Sequence, residues 1–392
     1  MLDIYVSEVD PKEYFTVTYK LEGNDLNKAA FGLAVGQSVG NPSVRNEYET
    51  PELIEQYSAK IIGKPADFIG KNTGIVKIAW PYRIIDWETD GIAQLLCVLM
   101  GGQMDIDYIH RCELLDLDID FSLCDAVAPR YGLSGFRKLT GNYNKPLLGS
   151  IVKPKTGLTE QALVEIVTAF VEGGVDFIKE DEIMANPACL PLKTRIDVIQ
   201  RVLAGTNVVY CYCINSDPLY LLDRAKMVAD GGGNGVHVNF WSGHGSYKSI
   251  NKLNLPLYIH YQKSGDKVIS STKNAYRISW YVLCKLASIC GVDTIHTGMW
   301  GGYLSDDENE LRSTMHMLSG NNVVPALSCG MTAELIPEIT RRFGVDYMAN
   351  VGGAIHGHPG GSRAGAKAMR QSIDKIHGLE YDQAIKKWGK VE

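Results

Sequence analysis

The sequence predicts an α/β chain: a C-terminal (β/α)8 barrel preceded by a smaller α+β domain of ferredoxin-like type. Three observations carry this. Over roughly the last 245 residues, eight short apolar runs rich in β-branched residues alternate with amphipathic stretches of about 10 to 16 residues. Eight strand–helix units in that length match a closed barrel, whereas a doubly wound sheet would need fewer units or a topological switch. The first 125 residues lack that alternation, and strands outnumber helices there. The break falls in the Gly-, Pro- and Asn-rich segment 125–146, so the domains are read as 1–125 and 126–392.

In order, FTVTYKLEG (15–23) alternates as a half-buried strand and DLNKAAFGLAVGQ (25–37) reads as a helix. TGIVKIAWPY (73–82) and CELLDLDIDF (112–121) read as strands, with a helix at GIAQLLCVLMG (91–101) between them. The barrel strands are expected within 147–154, 175–181, 207–215, 235–240, 255–260, 292–298, 323–329 and 346–353. Helices are expected at 159–174 and 274–291, with Thr159 and Asn274 as N-caps and glycines closing each.

Composition narrows the function classes. Of 392 residues, 45% are hydrophobic and 21% charged, a globular balance, and the formal net charge is −6. That charge argues against nucleic acid or an anionic membrane as partner, since both call for a basic face. No run approaches the roughly 18 apolar residues of a membrane span, and the N-terminus has no signal-peptide pattern. The nine cysteines are too irregular for a disulfide scaffold and lack zinc spacing, so they are read as reduced, buried thiols in a cytoplasmic protein.

In a barrel, chemistry sits at the C-terminal strand ends. The first strand ends in Lys153-Pro154-Lys155 and the second in Lys179-Glu180-Asp181-Glu182. The fifth ends in His260, the sixth in His296, the seventh in Ser328-Cys329-Gly330 and the eighth in Gly352-Gly353. Each has a plain reading as an ion pair, a solvated lysine, a satisfied histidine or a turn glycine. Together at one rim, they are hard to explain by packing. Lys179 and Asp181, two apart on a strand, share a face, and Asp and Glu are hard oxygen donors suited to Mg2+. An ammonium would repel that ion. A neutral lysine amine that has taken up CO2 as a carbamate would bind it.

These residues resemble the large subunit of ribulose-bisphosphate carboxylase/oxygenase and its RuBisCO-like relatives, over nearly the whole chain. SIVKPKTGL (150–158) and GGVDFIKEDE (173–182) carry the resemblance, and GHPGG (357–361) is also familiar in that family. The resemblance implies a carbamate on Lys179 and Mg2+ held by Lys179, Asp181 and Glu182. It implies Lys153 as the proton-shuttling lysine with Lys155 its neighbour, and His260 and His296 as active-site histidines. It implies substrate or phosphate binding at Ser328, Gly330, Gly352 and Gly353. It also implies a homodimer or an assembly of dimers.

The departures set the kind of member. Tyr303 stands where carboxylases carry the loop lysine that reaches the carboxylated intermediate. Tyr261 replaces a phosphate-gripping arginine, Ser264 a histidine, and Gln37 the catalytic glutamate. The end of the helix at Gly101-Gly102 carries neither the carboxylases' asparagine nor the enolases' lysine base. Trp300 and Tyr303 are read as an aromatic lid rather than as loop anchors alone. The expected chemistry is formation of an enediolate from a singly phosphorylated ketose or 3-oxo sugar acid, without CO2 fixation. Decarboxylation is favoured because loss of CO2 itself yields the enediolate. Isomerisation of a methylthio-sugar phosphate in sulfur salvage is the alternative, and a non-catalytic binding or regulatory scaffold is the third reading.

Overall fold

The computed structural model describes residues 2–389. The chain divides into two compact units. One comprises the described residues through Ala126 together with Gly265–Leu286, and the other comprises Val127–Ser264 with the described residues from Ala287 onward.

The first unit is a six-stranded sheet in the spatial order Tyr5–Val6, Lys60–Ile62, Thr73–Pro81, Tyr14–Gly23, Ile109–Asp118, Tyr276–Ile278. Tyr14–Gly23 runs antiparallel to both neighbours. Its alternate residues Phe15, Val17, Tyr19 and Leu21 are buried, the period-two pattern of a half-buried strand. Helix Leu26–Gly36 starts at Asp25, whose carboxylate accepts from the Lys28 N–H at 2.9 Å. The expected helix over 274–291 is shorter: Tyr276–Ile278 is a strand parallel to Ile109–Asp118, and the helix is Trp280–Ser288. A free strand edge outweighs local preference here. Arg277 Nε meets Glu113 Oε2 at 2.6 Å, and the Ser279 N–H donates to the Leu114 carbonyl at 2.9 Å.

The second unit is a closed parallel barrel. Its strands are β1 (Leu147–Ile151), β2 (Phe177–Lys179), β3 (Val209–Cys213), β4 (Gly235–Asn239), β5 (Tyr258–Gln262), β6 (Thr294–Gly298), β7 (Val324–Leu327) and β8 (Met348–Val351). β8 pairs with β1 to close the ring. Strands β3, β4, β5 and β6 are buried along their whole length, which is why they read as apolar runs. Thr159 caps helix Glu160–Glu172 as its side chain accepts from the Ala162 N–H at 3.2 Å.

The Gly-rich segment read as a boundary contains helix Gly132–Thr140, which plugs the base of the barrel. Phe136 is fully buried among Leu147, Phe177, Val209, Tyr258 and Val324, its ring centre 4.6 Å from that of Tyr258. Asp293, just before β6, holds the plug by accepting from the Tyr131 and Gly132 N–H groups at 2.7 Å each, and from Ile259 at 2.8 Å. Gly132 has φ +56°, and a Cβ there would lie 1.9 Å from the Asn322 carbonyl oxygen. The apolar base leaves the opposite rim, the C-terminal strand ends, for the polar side chains.

Six of the cysteines are buried and Cys329 is half-buried, but Cys97 and Cys189 are exposed. Among the described residues no helix is long and apolar enough to cross a membrane.

Candidate active site

A cleft of about 650 Å3 opens at the C-terminal rim. Lys153, Lys155, Lys179, Asp181, Glu182, His296, Ser328, Gly330, Gly352 and Gly353 all line it. His260 does not. It is wholly buried on β5, its ring centre 5.5 Å from Phe177 and 5.8 Å from His237.

At the end of β2 the backbone alternation sends Lys179 and Asp181 to the cleft, both only 1% exposed. Lys179 Nζ lies 3.7 Å from Glu182 Oε2 and donates to the Glu180 carbonyl at 3.1 Å. Burial pushes the Lys179 pKa down, with Glu182 and Asp181 opposing it only in part. Burial alone would raise the Glu182 carboxyl, but Lys179 and a hydrogen bond from Ser264 outweigh it and hold the group below its usual range. Lys153, from the loop after β1, contacts Asp181 Oδ2 through its ammonium. Lys155 is exposed at the cleft edge.

Strands β5, β6 and β7 supply a neutral wall. Gln262 Nε2 donates to Ser264 Oγ at 2.6 Å and lies 3.4 Å from His296 Nδ1, while its Oε1 is 3.3 Å from His260 Nε2. His296 Nε2 lies 2.5 Å from Ser328 Oγ. With Nδ1 facing an amide donor, the ring proton falls on Nε2 and points at Ser328, whose own hydroxyl proton is then left for the cleft. Burial, then the nearby Lys263 and Lys179 charges, push His296 well below its usual pKa. Burial, Lys179 and His296 do the same to His260. Both imidazoles are neutral.

After β7 and β8 the backbone itself faces the cleft. Gly330 has φ +107°, and a Cβ there would come within 2.5 Å of the Tyr303 backbone nitrogen. Packing does not account for Gly353, where a Cβ would meet nothing within 4 Å, nor for Gly352, whose nearest contact would be Ile151 at 3.7 Å. At both positions a bare backbone leaves room for a ligand.

The aromatic lid divides into two parts. Trp300 lies off the cleft: the Arg342 guanidinium sits 4.2 Å over its ring, and Phe343 is 6.5 Å away. Trp300 therefore anchors the loop. Tyr303 lines the cleft beside Cys329 and is 87% exposed. Tyr261 turns away from the cleft, with its hydroxyl 3.2 Å from His244 Nε2 and its ring stacked 4.6 Å from Tyr247. Gln37, in the first unit, ties down a helix end: its Nε2 donates to the Cys97 and Val98 carbonyls at 2.8 and 3.0 Å.

Residues in and behind the cleft escaped the sequence reading. Gln262 and Asn350 line the cleft, and each stands two residues from a predicted site residue on the same strand face. Asn215 Nδ2 donates to the Glu182 carbonyl at 2.7 Å, and its Oδ1 accepts from the Asn239 N–H at 2.8 Å. The strand period of two, counted outward from His260 and inward from Gly352, would have found Gln262 and Asn350.

Among the described residues, no three His, Cys, Asp or Glu side chains group as a ready-made metal site. The end of β2 sends two carboxylates, Asp181 and Glu182, and one lysine, Lys179, to the cleft. Two hard oxygen donors beside a buried amine whose charged form is disfavoured fit a divalent cation once that amine is carbamylated.

Comparison with known proteins gives the family. Residues 132–391 match the family model "Ribulose bisphosphate carboxylase large chain, catalytic domain". The chain is 29% identical to a ribulose bisphosphate carboxylase of Pyrococcus abyssi, over 96% of this chain and 94% of that protein. It is 29% identical to a 3-oxo-isoapionate-4-phosphate decarboxylase of Rhizobium etli, over 91% and 92%. It is 28% identical to a 2,3-diketo-5-methylthiopentyl-1-phosphate enolase of Geobacillus kaustophilus, over 96% and 98%. The crystal structure of octameric ribulose-1,5-bisphosphate carboxylase/oxygenase from Pyrococcus horikoshii OT3 superposes with a TM-score of 0.87 at 26% identity, covering 98% of this chain and 96% of that one. The chain belongs to the ribulose bisphosphate carboxylase large-chain family, in its RuBisCO-like breadth.

Proposed function

We propose that the protein is a RuBisCO-like, Mg2+-dependent enzyme that forms an enediolate from a singly phosphorylated 3-oxo sugar acid or ketose, with decarboxylation favoured, and that it fixes no CO2. The observation that carries this is the Lys153–Asp181 contact beside Lys179 and Glu182, in a cleft that Gln262, His296 and Ser328 also line. Lys179 as its carbamate, Asp181 and Glu182 would hold the cation. When bound, the cation supplies positive charge against an enediolate oxygen.

The protein's own groups do the rest. The backbone at Gly330, Gly352 and Gly353 takes the phosphate. Ser328, held by the His296 N–H, presents its hydroxyl proton to the sugar, and Gln262 fixes the His296 tautomer, with His260 acting only through Gln262. In a 3-oxo acid, the C–C bond to the carboxylate breaks, CO2 leaves, and the electron pair becomes the enediolate. Lys153, paired with a carboxylate as an ammonium, returns a proton to carbon and leaves as the amine. A proton donor at that position suits decarboxylation, which calls for no base.

Departures from the carboxylases support the exclusion of CO2 fixation. Tyr303 brings no cation to the cleft, and Tyr261 grips no second phosphate. The enolase relative supports the alternative, isomerisation of a methylthio-sugar phosphate. A homodimer or assembly of dimers, acting in the cytoplasm, completes the reading.

The test is a panel of singly phosphorylated ketoses and 3-oxo sugar acids with Mg2+ and bicarbonate, followed by NMR for solvent deuterium uptake and by CO2 release. Turnover that vanishes in Lys179→Ala is expected. Silence on every member, together with no Mg2+ binding, would favour a non-catalytic scaffold.

A further inference from the structure

Between Lys179 and Asp181 stands Glu180, which points away from the cleft and is fully buried. Its Oε1 accepts from Arg195 Nε at 2.7 Å and from the Tyr210 hydroxyl at 3.0 Å, and its Oε2 accepts from the Cys213 N–H at 2.7 Å. Arg195, on helix Leu192–Leu203, is also fully buried. Its Nη1 donates to the Leu190 carbonyl at 2.8 Å and its Nη2 to the Ala185 carbonyl at 2.7 Å. One guanidinium thus ties the end of β2 to two points on the 183–190 loop, directly after Asp181 and Glu182. Nη2 also donates to the Cys213 carbonyl at 3.4 Å, and only a rigid, planar fork of donors can reach all four acceptors at once.

Packing alone does not call for this. A buried ion pair is often replaceable by apolar side chains of similar volume at little loss of stability. What an apolar pair cannot do is fix the loop carbonyls. We propose that Arg195 and Glu180 are positioning residues that hold Asp181 and Glu182 at a fixed separation for a divalent cation before any ligand arrives. Partners that orient a metal ligand without touching the ion typically change affinity by about 10- to 100-fold. The inference rests on the reading of Asp181 and Glu182 as cation ligands.

The test measures Mn2+ affinity calorimetrically, with bicarbonate present, on the full chain, alongside thermal unfolding. Arg195→Lys keeps the charge against Glu180 but cannot reach both loop carbonyls. The expected result is Mn2+ binding weakened about 10- to 100-fold in protein that is still folded. The double variant Glu180→Met with Arg195→Met removes both charges at similar volume. Its melting temperature should recover relative to Arg195→Met alone, while its Mn2+ affinity stays weakened. Wild-type Mn2+ affinity in Arg195→Lys or in the double variant would overturn the inference and leave the pair a stability feature. Absence of Mn2+ binding in the wild type would instead overturn the cation site itself.

Discussion

His296 Nε2 lies 2.5 Å from Ser328 Oγ, so the ends of β6 and β7 share one hydrogen bond across the cleft wall. The pair resembles a nucleophile and its base, but the proton points the other way. Gln262 faces Nδ1, so Nε2 carries the proton and Ser328 accepts it. In the proposed function this wall serves to recognise a substrate hydroxyl. Ser328→Ala should therefore lower kcat/KM by about 3- to 10-fold, mainly through KM, the size of one neutral hydrogen bond. Steady-state kinetics on the substrate that turns over checks this. A collapse of kcat with unchanged KM would instead make Ser328 a nucleophile.

Lys153 touches Asp181 within the charged half of the cleft. If it delivers the proton, Lys153→Met should cut kcat by about 100- to 10,000-fold while Mn2+ binding survives. Kinetics and a Mn2+ titration on the same preparation separate the two roles. Loss of Mn2+ binding would show that Lys153 serves the ligand cluster rather than the reaction.

The base of the barrel carries the stability. Phe136 is fully buried against Phe177 and Tyr258. Phe136→Ala should cost about 3–5 kcal/mol, as large core truncations do, with little change in the kinetics of the folded fraction. Denaturant unfolding measures it, and a cost below about 1 kcal/mol would contradict the plug.

Asp293 gives a pH signature. Its three backbone donors favour the carboxylate, but burial is the larger effect and pushes the pKa up to about 6. An unfolded carboxyl titrates near ~3.9, so the folded chain binds this proton more tightly. The resulting stabilisation is full below about pH 4 and is lost as pH rises through about 6, a span worth about 3 kcal/mol. Asp293→Asn should be less stable overall and should lose that much less on going from pH 4 to pH 7. Equal pH slopes in the two proteins would contradict the assignment.

Much of this was legible in the sequence, for a physical reason. Strands buried on both faces must be apolar throughout, so Lys179 and His296 stood out where those runs reach the rim, whereas His260 lies within β5. What escaped depends on tertiary context. Tyr276–Ile278 forms a strand because an open sheet edge and Glu113 await it. Helix Gly132–Thr140 hides in a Gly-rich stretch because its cap is Asp293, more than 150 residues away in the chain. Trp300 and Tyr303 read alike as loop aromatics, and only Arg342 tells them apart. Arg195 looks like one more cation on an amphipathic helix until its acceptors are seen.

The central claim is that this cleft releases CO2 or rearranges a singly phosphorylated substrate, and does not fix CO2. The most direct measurement gives one preparation, with Mg2+ and bicarbonate, two substrates side by side. One is a 3-oxo sugar-acid phosphate, assayed for CO2 release, and the other is ribulose 1,5-bisphosphate, assayed for incorporation of labelled CO2. Release from the first with no incorporation into the second is the predicted result. Incorporation of label into ribulose bisphosphate would contradict the account.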